Sequence, residues 1–143
     1  MNVTENQRTE RPGQTLTRGL IRALHQLGYA ALGEVTLATG RRVDAMAIDA
    51  KGEISVVEVK SSIADFRSDN KWHEYGEYCD RFYFAVPAGF PQEILPPETG
   101  LFVVDAYGGA LIRPAPAGRL SAARRKALLI KFGHLASRRR VEV

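Results

Sequence analysis

The chain has 143 residues, a length typical of one compact domain. It is 45% hydrophobic and 25% charged, as expected of a folded globular protein and not of a disordered or collagen-like chain. The formal net charge of +4 is unevenly spread, because residues 106–143 carry nine basic side chains and one acidic side chain. No run approaches the ~18 apolar residues of a membrane span, and the first ten residues lack a signal-peptide core, so we expect a cytoplasmic protein that does not bind membranes.

The cysteine and histidine content excludes two further classes. Cys79 is the only cysteine, so no internal disulfide can form. The three histidines, His25, His73 and His134, are too scattered to complete a zinc site with it. We also reject Cys79 as a nucleophile and His73 as a general base, because neither has a partner evident in the sequence.

The order of predicted elements is α-βββ-α-ββ(β)-α. Residues 1–13 are polar and end in Pro-Gly, which predicts a flexible N-terminus before a single domain at 14–143. Apolar residues at helical spacing predict a helix over 15–27, and alternating runs predict an antiparallel meander of three strands. The predicted elements after the first helix are strands 32–39, 42–49 and 53–60, a helix over 61–79 broken near Asn70, strands 81–86 and 101–105, a possible strand 110–113, and a basic helix over 121–135.

The turn between the second and third predicted strands sets which charged residues meet. Residues 49–52 read Asp-Ala-Lys-Gly, the pattern of a three-residue hairpin loop with Gly52 in a left-handed bulge position. In that register Asp49 faces Glu53, and Asp44 faces Glu58 on one side of the sheet. A two-residue loop would instead place these last two carboxylates on opposite faces.

Lys60 follows Glu58 by two residues, so it shares the same face. Two carboxylates beside apolar neighbours repel each other and lose hydration, which favours a cation between them. A hard divalent ion, Mg²⁺ or Mn²⁺, suits oxygen ligands of this kind. The alternative is a solvated hairpin face whose charges form cross-strand salt bridges.

These residues resemble the PD-(D/E)XK nuclease superfamily, through Val43-Asp44 followed by Glu58-Val59-Lys60. Val43 stands where that signature has proline. The resemblance implies an α/β fold with a restriction-endonuclease-like α-βββ-α-β core, a mixed β-sheet flanked by helices. Over nearly the whole chain the sequence is similar to the MmcB family of DNA repair proteins, on the strength of residues 40–87 and 99–108, and this resemblance implies DNA as the substrate.

The superfamily resemblance also implies roles for the residues of the motif. Asp44 and Glu58 would hold the metal ion together with the Val59 carbonyl, and Lys60 would orient or help deprotonate the attacking water. Glu34 on the first strand could supply a further carboxylate, with a surface strand residue as the alternative.

Several other residues are candidates for DNA contact. Lys71 and Tyr75 share a helix face, a spacing similar to a Gln-x-x-x-Tyr motif of some of these nucleases, although core packing is the alternative for Tyr75. The remaining basic candidates lie beside the motif and on the last helix, where solvated charge is the alternative: Arg41, Arg42, Arg124, Arg125 and Lys126.

The leading functional hypothesis is a metal-dependent DNA nuclease acting in repair. The alternative is a catalytically silent DNA-binding or partner-binding module with the same fold. RNA processing ranks last, because no aromatic RNA-binding motif is evident. A homodimer or a repair-protein partner stays open.

Overall fold

The computed structural model describes residues 11–142. The predicted flexibility of residues 1–10 lies outside this range, whereas residues 12 and 13 are already helical. The first helix starts before the predicted residue 15 because proline is well suited to a first helical turn. The elements are α1 Pro12–Gln26, β1 Ala30–Thr36, β2 Arg42–Ile48, β3 Ile54–Val59, α2 Ile63–Ser68, a 3₁₀ helix Trp72–Tyr78, β4 Arg81–Val86, a 3₁₀ turn Gln92–Ile94, β5 Gly100–Val104, β6 Gly109–Arg113 and α3 Ala122–Glu142.

The six strands form one sheet in sequence order, from β1 to β6. Strands β1, β2 and β3 are antiparallel neighbours, β3, β4 and β5 are parallel, and β6 returns antiparallel to β5. The segment containing α2 and the longer 3₁₀ helix forms the crossover between β3 and β4. The predicted fold class, an α/β fold with a mixed sheet flanked by helices, is confirmed.

Helix α1 covers one face of the sheet. Its residues Leu16, Leu20 and Leu24 pack in a cluster with residues of β2 to β5. Gly19 allows a close approach, since a Cβ there would lie 1.6 Å from the carbonyl oxygen of Asp105. The buried stripe of α1 therefore fixes the helix against the centre of the sheet.

The opposite face is covered by α3 and the longer 3₁₀ helix. Leu128 and Phe132 of α3 and Tyr75 of the 3₁₀ helix pack with Met46 and Val56 of the sheet. Helix α3 runs seven residues past its predicted end at residue 135. No helix within residues 11–142 is long and apolar enough to cross a membrane.

The segment predicted as one broken helix consists of two separate pieces. Ser62 caps α2 by accepting a hydrogen bond from the Asp65 backbone N–H at 3.1 Å. Helix α2 ends at Ser68, and the 3₁₀ helix starts at Trp72, so the predicted break near Asn70 is confirmed.

Candidate functional site

The hairpin of β2 and β3 has the predicted register. Ala45 pairs with Val57 and Ile48 pairs with Ile54, which places Asp44 next to Glu58 at the end of the ladder. Gly52 has φ of +85°, the left-handed conformation that the three-residue loop requires. The turn chemistry of four residues thus brings the two acids together.

The side chains of Asp44 and Glu58 each accept a hydrogen bond from the backbone of the neighbouring strand. The Asp44 backbone N–H donates to Glu58 Oε1 at 3.1 Å. The Val59 backbone N–H donates to Asp44 Oδ2 at 2.7 Å. One oxygen of each carboxyl group is therefore fixed by a backbone donor, and both groups are held at the edge of the paired region.

Burial changes the ionisation of this pair. Burial raises the pKa of Glu58 to about 9, and the negative charge of Asp44 adds to the increase. Burial also raises the pKa of Asp44, and the hydrogen bond from the Val59 N–H offsets part of the increase. Both carboxyl groups are therefore harder to ionise than exposed acids, and a nearby cation would favour their charged forms.

The Lys60 side chain is buried beside the pair, and its charge lowers the pKa of both acids. Its ammonium donates to Asp69 Oδ2 at 2.6 Å. Burial opposes ionisation of Asp69, but hydrogen bonds from the Lys60 ammonium and the Lys71 backbone N–H outweigh it and lower the pKa of Asp69. Asp69 is not among the residues predicted from the sequence, in which its one signal is its position at the predicted helix break.

Glu34 of β1 lies opposite Asp44 and has an unusual backbone. Its φ is +54°, and it is the one non-glycine residue among residues 11–142 with a positive φ. Gly33 pairs with Ala45 and Val35 pairs with Val43, but Glu34 and Asp44 between them are not paired. The ladder between β1 and β2 is thus interrupted at these two acids.

The interruption of the ladder coincides with a change in the sheet face on which the side chains of β2 lie. Ala45 packs in the cluster under α1, whereas Val43 packs with Val35 and Met46 in the cluster under α3. Regular alternation would place Val43 and Ala45 on the same face. The alternation of side chains along β2 is therefore broken at Asp44, where the ladder with β1 is also interrupted.

An open cleft of about 820 Å³ contains the site. The residues predicted to form the metal site line its walls, together with the N-terminal turn of α1 and several arginines. Its acidic and motif residues are Glu34, Asp44, Glu58, Val59, Lys60 and Asp65, and its arginines are Arg11, Arg18, Arg42 and Arg139. A negatively charged centre with a basic surround is suited to a phosphate-bearing ligand and a cation.

A family profile described as DNA repair protein MmcB-like matches residues 2–143. The chain belongs to this family. The match confirms the resemblance to the MmcB family, and it places the chain in a family of DNA repair proteins.

Solved structures give two further comparisons. A protein of unknown function from Silicibacter pomeroyi is 48% identical, with a TM-score of 0.88 over 92% of this chain and 90% of the other. A repair endonuclease from Pyrococcus abyssi is 21% identical, with a TM-score of 0.34 over 48% of this chain and 33% of the other. Among curated proteins, none matches significantly.

The other residues predicted near the site of the MmcB-like protein form a second cleft. Lys71, Tyr75, Arg41 and Arg42 line a space of about 550 Å³, which shares Arg42 with the first cleft. Tyr75 is buried, as its core-packing alternative predicted, and burial raises its pKa to about 12. Arg41 forms an exposed ion pair with Glu74 at 3.0 Å.

The basic residues at the start of α3 have different surroundings. Arg125 forms a two-pronged ion pair with Asp80, with Nη2 2.6 Å from Oδ1. Arg124 lies over the Tyr78 ring, 4.5 Å from its centroid, and donates to the Glu77 carbonyl at 3.1 Å. Lys126 is exposed. DNA binding by these three residues stays a prediction, but the structure gives Arg125 a role in holding α3 to the sheet.

The rejected nucleophile and base occupy structural positions. Cys79 is buried, and burial raises its pKa to about 12, which keeps the thiol protonated. His73 stacks on Trp72 with ring centroids 3.8 Å apart. Neither residue lines the cleft that contains Asp44 and Glu58.

The donor chemistry of the cleft fits a hard divalent cation. Asp44 and Glu58 each accept a backbone N–H at one oxygen, and carboxylate oxygens are the ligands that such a cation takes. Within residues 11–142 no group of three or more His, Cys, Asp and Glu side chains is arranged as a metal site. Two carboxylates suffice for Mg²⁺, which commonly keeps several waters when bound in this way.

Proposed function

We propose that the MmcB-like chain is a metal-dependent DNA nuclease that hydrolyses phosphodiester bonds during repair. Asp44 and Glu58, with the Val59 carbonyl, hold Mg²⁺ or Mn²⁺, and Lys60 acts on the attacking water. The observation that supports this proposal is a carboxyl pair, the half-buried Asp44 and the buried Glu58, beside the buried Lys60 ammonium in an open, arginine-lined cleft. Membership of a DNA repair family supports DNA as the substrate class.

Each residue of the site has a separate role in this proposal. The bound metal would neutralise charge on the scissile phosphate and acidify a water. The Val59 N–H fixes the Asp44 carboxylate, so its orientation is set before substrate arrives. An ammonium has three N–H donors, and the Asp69 contact of Lys60 uses one, which leaves two for water or a phosphate oxygen.

The direct test is a panel of labelled single-stranded, duplex, flapped and branched DNA, with an RNA of the same sequence, in Mg²⁺, Mn²⁺ or EDTA. Asp44→Asn and Glu58→Gln keep the shape of the acids, and each should weaken metal binding and abolish cleavage. Glu77→Gln, an exposed acid outside the cleft, is the matched control and should cleave as the wild type does.

Lys60 needs a paired variant because its removal leaves Asp69 without its ammonium partner. The double variant Lys60→Met with Asp69→Asn removes both charges and avoids an uncompensated carboxylate. It should retain metal and DNA binding but lose most turnover, since metal is held by carboxylates and not by the ammonium. Turnover at the wild-type rate would remove Lys60 from the proposal.

One observation favours the alternative of a catalytically silent DNA-binding or partner-binding module. Lys60 is held by Asp69, and each acid accepts a backbone hydrogen bond, so the described site is satisfied in the absence of a cation. Within residues 11–142 no buried side-chain nitrogen or oxygen lacks a partner. DNA binding without cleavage of any substrate in either metal would favour this module. A separate measurement, sedimentation with and without DNA, would test for a homodimer.

A further inference from the structure

The C-terminal half of α3 presents basic residues along one side. Lys131, His134 and Arg138 follow each other at spacings of three and four residues, which places them on one face of the helix. Together with Glu34 and Thr36 of β1 they line a cleft of about 330 Å³. We call Lys131 and Arg138 the helix pair.

This cleft adjoins the cleft that contains the carboxylates. Glu34 and Arg139 line both of them. Arg139 also donates to the backbone carbonyl oxygens of Gly33 and Glu34, the latter at 2.7 Å. The end of α3 is therefore fixed to the strand beside Asp44, and the helix pair has a defined position next to the site.

The helix pair differs from the basic residues at the start of α3 in its contacts. Arg125 is engaged by Asp80, and Arg124 lies over Tyr78. The ion pairs and hydrogen bonds found within residues 11–142 include neither Lys131 nor Arg138. Cations without a carboxylate partner gain most from a phosphate.

A second basic pair borders the carboxylate cleft through Arg42. Arg42 lines both this cleft and the neighbouring one that contains Lys71. Both residues are exposed. We call Arg42 and Lys71 the strand pair.

We infer that a DNA strand crosses the carboxylate cleft with its backbone phosphates held by the helix pair and by the strand pair, which both border this cleft. The negative charge of Asp44 and Glu58 repels a phosphate placed between them, so binding energy must come from cations that flank the acids. This inference takes DNA as the ligand from the proposed function and assigns the phosphate-binding residues.

Fluorescence anisotropy of labelled duplex and single-stranded DNA, over a range of salt concentrations in EDTA, tests the assignment. Neutralising the helix pair with Lys131→Gln and Arg138→Gln should weaken binding by the same factor on every sequence. It should also reduce the slope of log K against log salt by about 2 on duplex DNA, roughly 0.9 for each lost phosphate contact. Arg42→Gln with Lys71→Gln should give a similar reduction.

The matched control is Lys51→Gln with Arg119→Gln. This pair removes one lysine and one arginine, both exposed and both outside the three clefts, and its salt slope should equal that of the wild type. Exchange of the helix pair, Lys131→Arg with Arg138→Lys, keeps both charges and should restore the slope. Arg138→Gln alone, at an exposed position, should lower the slope by about 1 even if the double variant loses helix on circular dichroism.

An unchanged slope in the helix-pair variant, or an equal loss in the control, would overturn the assignment. Tighter binding of RNA than of DNA would also overturn it. The outcome is separate from that of the nuclease proposal, because affinity is measured without metal. Cleavage by the wild type together with unchanged variant affinities would retain the nuclease and reject this DNA path.

Discussion

The Lys60 ammonium and the Asp69 carboxylate form an ion pair with a 2.6 Å separation, and only 7% and 12% of their side-chain surfaces are exposed. Asp69 directly follows the last residue of α2, Ser68, so this short helix returns the chain to the end of β3. The pair holds the ammonium beside Asp44 and Glu58, where its charge lowers the pKa of both acids. A residue outside the nuclease-like motif thus determines where the motif lysine lies.

Removing one partner of this pair should be costly. Asp69→Asn leaves a buried ammonium without its carboxylate, and we expect the free energy of unfolding in urea to fall by about 3 kcal/mol. The double variant with Lys60→Met should recover part of this loss. Glu74→Gln, which breaks the exposed pair with Arg41, is the control and should leave stability almost unchanged. A small effect of Asp69→Asn would show that the pair is hydrated.

The raised pKa of Glu58 predicts that stability falls as pH rises. Between about pH 4.3, where a glutamate of the unfolded chain ionises, and about 9, the folded protein holds a proton that the unfolded chain has lost. This contribution is complete below the unfolded pKa and is lost as pH passes through the folded pKa. Urea unfolding in EDTA should show this decline, at most about 1.4 kcal/mol per pH unit from Glu58.

Glu58→Gln should flatten the pH dependence, because a neutral amide neither gains nor loses the proton. Glu77→Gln, at an exposed position, should retain the slope of the wild type. Equal slopes in the wild type and Glu58→Gln would show that Glu58 ionises normally in the folded protein.

The hairpin shows what local sequence can predict. Residues 49–52 fix the turn, the turn fixes the register, and the register places Asp44 beside Glu58. All of these steps depend on residues close in sequence. The same reasoning predicted strands β2, β3 and β4 almost to their ends, because their alternation or density of apolar residues is strong.

The parts that the sequence did not predict depend on distant contacts. Arg139 binds the carbonyls of Gly33 and Glu34 more than a hundred residues earlier, and this contact accompanies an α3 longer than predicted. The positive φ at residue 34 could not be predicted, because this residue is a glutamate and not the glycine or asparagine that usually adopts such a conformation. Charge composition indicated a basic last helix, but it could not separate Arg125, which faces Asp80, from residues that face the clefts.

Arg125 is predicted to stabilise the fold more than it contributes to DNA binding. The Asp80 carboxylate is 8% exposed and also accepts the Ile54 N–H at 2.7 Å, so loss of Arg125 leaves a buried charge. Arg125→Gln should lower the free energy of unfolding by about 2 kcal/mol, less than for a fully buried pair. Lys126→Gln, one residue later and exposed, should change it by less than about 0.5 kcal/mol.

A loss of DNA affinity in Arg125→Gln can be assigned to a phosphate contact only if the variant stays as stable as the wild type. If Arg125→Gln keeps full stability but loses DNA affinity, the residue binds phosphate as the sequence analysis predicted, and the ion pair with Asp80 is secondary.

Glu34 allows backbone strain to be separated from side-chain function. A non-glycine residue at φ of +54° costs roughly 1–2 kcal/mol, and glycine adopts this conformation freely. Glu34→Gly should thus be more stable than Glu34→Ala in urea, by about 0.5–1 kcal/mol after the greater freedom of glycine in the unfolded chain is included.

Both variants remove the carboxylate that lines the cleft. If this carboxylate helps to hold a cation, calorimetry should show the same loss of Mn²⁺ affinity in both variants despite their different stabilities. Weaker Mn²⁺ binding in Glu34→Ala alone would instead assign the effect to the backbone, because alanine, unlike glycine, is strained at the positive φ opposite Asp44.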